Sequence, residues 1–196
     1  MDIEQLRKKY FPLILPSGYS VRSATREEVF ALFKSIGGEV FGPTTTSGFR
    51  VPDSRTERAQ AMTKIYQNLH HEYFLFQTPD HKPVGWFMGE AEDALTFYFR
   101  HLGILPEHQN KKMYSSFVLH FEKYLAEIGY ERTSIQHKVT NRKIIILQLK
   151  LEYLIASLEL TENWGPLVKL VKLLQPDRRS HFVRMYGDEL HQDFFK

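Results

Sequence analysis

The spacing of apolar positions changes period several times along this chain, and each change marks an element. In "DIEQLRKKYF", Ile3, Leu6 and Tyr10 recur at helical intervals, with Pro12 and Pro16 beyond them, so a short leading helix is expected. "GYSVRSAT" alternates with period two and reads as a strand. Thr25 with Glu28 three residues later forms a capping-box signature. The helix it opens, "REEVFALFKSIGG", carries Val29, Leu32, Phe33 and Ile36 on one face, with Gly37 as its expected stop. From Glu39 to Arg58 the chain is rich in threonine, glycine and proline, and a loop is expected there. "TERAQAMTKIYQNLHH" returns to helical spacing.

Period two then takes over. "EYFLFQT" and "VGWFMGE" flank the turn "PDHKP" as a hairpin, and "ALTFYFRHLGIL" is a third, longer strand. Past a polar, basic segment, Met113, Phe117, Phe121, Tyr124, Leu125 and Ile128 line one helical face, with Gly129 as the stop. "TSIQHKV" reads as a strand, "NRKIIILQLKL" as a helix and "YLIASLEL" as a strand. The spacing of "PLVKLVKLL" fits a helix better than a strand, and the tail is expected to be partly helical. This order predicts an α/β (α+β) fold with a mixed, mostly antiparallel sheet and helices on both faces. The expected division is a helical extension over 1–18, a main domain over 19–175, and a tail over 176–196 packing on or extending it.

Composition narrows the chemistry. The 196 residues include no cysteine, which excludes disulfides, thiolate metal sites and a cysteine-bound acyl intermediate. The histidines His70, His71 and His191 have no second ligand at useful spacing, so no metal site is expected. The net charge of +3 is spread over separate basic clusters, so nucleic acid is not an expected partner. No window has the apolar length of a membrane span, and the charged start lacks a signal-peptide core, so a cytoplasmic protein is expected.

The segment "LGILPEHQNKKMYSSF" leads a strand into a helix. A helix N-terminus exposes unpaired amides and partial positive charge, which suits phosphate. Gln109, Asn110, Lys111, Lys112, Met113, Tyr114 and Ser115 occupy that turn, and the two lysines suit a polyphosphate.

The order of elements and this turn resemble the GNAT superfamily of acyl-CoA-dependent N-acetyltransferases over residues 19 to 160. In that family an apolar–x–Pro strand end precedes a loop of form Gln/Arg-x-x-Gly-x-Gly/Ala. Here Ile104, Leu105, Pro106 and Gln109 match, while Lys112 and Tyr114 stand at the small-residue positions. Lysine and tyrosine can present the same amides while their φ stays negative. The Asn that follows a strand and starts a helix is Asn141. The tyrosine that protonates the leaving thiolate in many members is replaced by Gln148, and the family's Gly-Phe pair by Glu152 and Tyr153.

The resemblance implies an acetyltransferase that moves an acetyl group from acetyl-CoA directly to an amine, the acceptor being a small amine, a peptide or a protein. It implies that the third strand of the group and the strand over 133–139 splay to admit the pantetheine arm. Gly103 and Ile104 would then bond the arm, and Gln109 to Ser115 with Asn141 would hold the rest. The candidates for proton handling are Glu90, His101 and Tyr153. The alternative is a GNAT-fold binding or regulatory module that has lost turnover. A relative using another donor, such as aminoacyl-tRNA, is a third reading. Either a monomer or a homodimer would fit.

Overall fold

In the computed structural model, residues 2–42 and 52–186 are described. Their eight strands form one sheet in the order β1-β2-β3-β4-β5-β6-β8-β7. The strands are β1 (Leu13–Ile14), β2 (Ser20–Ser23), β3 (His71–Gln77), β4 (Pro83–Ala91), β5 (Thr96–Ile104), β6 (Arg132–Lys138), β7 (Leu154–Thr161) and β8 (Gly165–Leu173). The helices are α1 (Ile3–Tyr10), α2 (Arg26–Phe41), α3 (Asp53–Tyr66), α4 (Met113–Ile128), α5 (Arg142–Lys150) and α6 (Pro176–Tyr186). Every strand pair is antiparallel except β5–β6. The predicted mixed, mostly antiparallel sheet is thus the observed one.

Local signals place several boundaries. Thr25 caps α2 through the Glu28 amide, and Glu28 reaches back to the Thr25 amide, completing the capping box. Gly37 does not end α2; the helix runs four residues further and stops at Gly42, whose φ is 68°. Gly37 instead lets Phe33 lie against the helix, because a Cβ there would sit 3.1 Å from that ring. The long loop expected from Glu39 to Arg58 is correspondingly shorter, since α2 reaches Phe41 and α3 begins at Asp53. The central part of the threonine-rich stretch 42–52 lies outside the described residues.

The helix expected in "PLVKLVKLL" is strand β8, paired with β6 on one edge and β7 on the other. Val168, Leu170 and Lys172 are buried, and the Lys172 amine donates to Glu122 at 2.6 Å. Leu167, on the opposite face, is buried as well. A strand covered on both faces loses its alternation and imitates helical spacing.

Each face of the sheet carries a core. Under α4, Phe74, Phe87, Phe97 and Phe99 meet Phe117, Phe121 and Tyr124, all buried. Phe117 and Phe121, one helical turn apart, stack at 5.2 Å. Under α2, Val29, Leu75, Trp86 and Met88 are buried against Phe33 and Ile36. Fully burying one such side chain contributes about 1.5–3 kcal/mol.

Candidate active site

A break in the sheet creates the site. On β4, Met88 faces His101 and Glu90 faces Tyr98, so Phe99 and Arg100 together oppose Gly89 alone. This is a β-bulge on β5, and a bulge bends its strand. Parallel pairing between β5 and β6 runs only from Thr96↔Arg132 to Phe99↔Ile135. Beyond the bulge β5 continues to Ile104 and β6 to Lys138, but they no longer pair. The result is a wedge-shaped opening through the sheet, floored by the Phe99–Ile135 pair.

Register decides which β5 groups face the wedge. The Leu105 amide donates to the Val84 carbonyl directly opposite. Strand alternation then directs Gly103 toward Trp86 on β4, and Leu102 and Ile104 toward the wedge. The Ile104 carbonyl accepts from the Gln109 side chain at 2.8 Å. Leu102 is therefore a wedge-facing backbone that reading the sequence missed. Its signal is the strand alternation, which the bulge hides. Gly103 is small for another reason: a Cβ there would sit 2.6 Å from the Trp86 ring.

The turn into α4 flanks one side of the wedge. Asn110 and Lys112 are left-handed, with φ of 61° and 59°. Lys112 thus adopts a backbone that favours glycine, contrary to the expected negative φ. Among the described residues, no backbone acceptor takes the amides of Asn110, Lys111 or Lys112. Those of Met113, Tyr114 and Ser115 belong to the helix's first turn, which has no intrahelical acceptors. The two lysines diverge. Lys112 is exposed, whereas the Lys111 amine donates to the Tyr19 hydroxyl at 2.7 Å and lies over that ring. Ser115 donates to the Lys112 carbonyl, and the Met113 side chain belongs to the core.

On the same side, Gln148 of α5 is completely buried and donates from Nε2 to the Tyr114 hydroxyl of α4. Its Oε1 has no partner among the described residues. Burial pushes the Tyr114 pKa upward. Asn141 holds the N-cap position of α5, is exposed, and makes no side-chain capping bond. Tyr153 lies deeper: it is buried, accepts from Thr133 at 3.0 Å, and faces Glu122 and Lys172. Thr133 pairs with Phe97, below the wedge floor. Burial raises the Tyr153 pKa strongly.

The opposite face of the sheet carries the other candidates. Glu90 is buried and ion-paired with Arg100, whose guanidinium lies over the rings of Tyr66 and Tyr98. His101 stacks on Trp86 and accepts at Nδ1 from the indole N–H at 3.0 Å. Its proton therefore resides on Nε2. Burial, helped by Arg100, lowers its pKa to about 4, so the ring is neutral at pH 7. Two further residues emerge only in three dimensions. Tyr98 donates to Gln136 at 3.2 Å, spanning β5 and β6 at the wedge. His137 lies on β6 past the break, with a buried Nε2 that has no partner among the described residues. Thus the fold brings the 109–115 turn and Gln148 to one side, Glu90 and His101 to the other, and leaves Tyr153 in the core. A groove of about 1070 Å³ lies elsewhere, between α6 and the β7–β8 pair, away from these groups.

No family model and no curated protein matches the sequence. Solved structures do match. A putative acetyltransferase, YncA from Salmonella typhimurium, solved with its cofactor acetyl-CoA, superposes with a TM-score of 0.59 at 15% identity, over 81% of this chain and 95% of that one. The fold is that of the GNAT acetyltransferases. The ribosomal-protein-S18-alanine N-acetyltransferase of Escherichia coli gives a TM-score of 0.58 at 12% identity, covering 80% and 94% of the two chains. The spermidine/spermine N-acetyltransferase SpeG of Vibrio cholerae gives 0.58 at 13%, covering 83% and 96%. No helix among the described residues is long and apolar enough to cross a membrane.

Proposed function

We propose that this GNAT-fold chain is an acetyl-CoA-dependent N-acetyltransferase that transfers directly to an amine. The observation that carries this reading is the wedge: a bulge-split sheet opening beside a helix N-terminus whose amides have no backbone acceptors among the described residues. The donor's diphosphate would bond the amides of residues 110–115, with Lys112 adding charge. The pantetheine arm would run between α4 and α5 toward the wedge floor. The backbone N–H groups of Leu102 and Ile104 would bond the arm or polarise the thioester carbonyl.

The amine would approach from the opposite face, past Tyr98, Glu90 and His101. Its nitrogen forms a bond to the acyl carbon as the carbon–sulfur bond breaks. Glu90, held by Arg100, accepts the amine's proton directly or through water, and the thiolate takes a proton from solvent. His101 acts as an Nε2–H donor rather than a base, because its Nδ1 is occupied by Trp86.

The test is calorimetry with acetyl-CoA, followed by a thiol-reagent assay of CoA release across an amine panel. The chain has no cysteine, so the reagent reads CoA alone. Binding with amine-dependent release supports the proposal; no binding overturns it. The Tyr114–Gln148 bond, which ties α4 to α5 across the pantetheine route, favours a second reading: a binding module without turnover. Binding of CoA with no thiol release from any amine selects that reading.

A further inference from the structure

Among the described residues, three buried side-chain atoms have no hydrogen-bond partner: Glu122 Oε1, His137 Nε2 and Gln148 Oε1. A buried polar atom left unpaired costs a fold about 1–3 kcal/mol, so each of the three calls for a reason. Glu122 lies in the core under α4, where its other carboxylate oxygen accepts from the Lys172 amine at 2.6 Å. The other two border the cleft that opens at the wedge.

α5 buries one residue outright, and that residue is a glutamine rather than a leucine. Gln148 donates from Nε2 to Tyr114 of α4, so its amide stands between the two helices. Oε1, the other end of the same amide, stands there with it. His137 reaches this side of the sheet by strand alternation. On β6, Thr133 meets the Tyr153 hydroxyl, and Ile135 joins the core under α4. His137 is next in that row, two residues past the wedge floor, where β6 no longer pairs with β5.

An amide oxygen is an acceptor only, and a neutral imidazole can place its one N–H on Nε2. The pair therefore matches a secondary amide, which offers one N–H and one carbonyl. It does not match a phosphate, which would need a donor at both positions. We propose that His137 and Gln148 seat an amide of the donor's pantetheine arm, Gln148 Oε1 accepting its N–H and His137 Nε2–H donating to its carbonyl. This inference rests on the acetyl-CoA reading above and adds two side chains to it. The seat fixes how far the arm enters the cleft, and so where the thioester lies relative to the Leu102 and Ile104 backbone. Both are positioning residues. The donor pairs the two groups that the free protein leaves unpaired.

The experiment is calorimetry of the full chain with two probes: CoA, and adenosine 3′,5′-bisphosphate, which has no pantetheine. Gln148→Leu and His137→Phe are each expected to weaken CoA binding about tenfold, the loss of one buried hydrogen bond. Binding of adenosine 3′,5′-bisphosphate should stay as in the wild type. A variant that merely disturbed the packing of α4 and α5 would weaken both probes. Circular dichroism checks folding, and Gln148→Met serves where Gln148→Leu does not fold. The inference is overturned if either variant binds CoA as the wild type does, or if both probes weaken alike. A wild-type chain that does not bind CoA overturns the acetyl-CoA reading itself, and the seat with it.

Discussion

At the scale of single residues, Lys112 is the most informative position. A non-glycine residue in the left-handed region costs about 1–2 kcal/mol. Glycine would lose about 0.5–1 kcal/mol of that in chain entropy. Lys112→Gly is therefore expected to stabilise the fold by roughly 0.5 kcal/mol, raising the thermal midpoint slightly. Denaturation curves check the sign; a drop in the midpoint would mean that the lysine side chain contributes stability of its own. His101 and His137 carry a pH prediction. Burial lowers both to about 4 in the folded protein. The unfolded chain, with histidines near 6.5, binds more protons between these values. Their contribution is complete above about pH 6.5 and is lost as pH falls toward 4. Urea titrations across that range should show the decline, and His101→Phe should make it shallower.

At the scale of elements, the contact between α4 and α5 decides access to the wedge. Tyr114 stands where the resembling loop calls for a small residue, and its hydroxyl reaches Gln148. Tyr114→Ala should therefore tighten acetyl-CoA binding at least several-fold, read by calorimetry. Weaker binding would identify the ring as part of the grip instead. Gln148→Leu removes a buried amide whose Oε1 is unpartnered, a defect costing about 1–3 kcal/mol. Little loss of stability is expected from that change, and thermal unfolding measures it.

At the scale of the molecule, the N-terminal helix is joined to the sheet by a buried charge cluster. Glu72, buried in β3, accepts from Arg7 of α1 at 2.9 and 3.0 Å, from His70 at 2.9 Å and from Tyr124 of α4 at 2.5 Å. Burial alone would raise the Glu72 pKa, but the bonds from His70, Arg7 and Tyr124 hold it below the ordinary value. Its stabilisation is present above the unfolded carboxylate's pKa and fades as pH drops through the lower folded one. Arg7→Ala strips a buried carboxylate of its cation and should cost about 3–5 kcal/mol, read from chemical denaturation at pH 7. A loss below about 1 kcal/mol would show the helix to be peripheral to stability. Phe11 and Leu15, which follow this helix, are buried with the main core.

Most elements were legible because each carries its own local signal: the Thr25–Glu28 box, the Gly129 stop, and the turn residues 79–83 between the two short apolar runs of β3 and β4. The order of those elements also carried the fold, since a strand–helix–strand unit after a meander leaves few ways to cover both faces of a sheet. β8 was misread because burial on both faces erases alternation. The wedge could not be read at all. It depends on which β5 residues lack a partner on β4, and register is a property of two strands, not of one. Likewise the Tyr114–Gln148 bond, the Trp86–His101 pair and the open edge of β7 join or separate positions far apart in the chain. Local propensity determined the parts; which backbone groups remain unpaired, and so available to a ligand, was decided only when the parts packed.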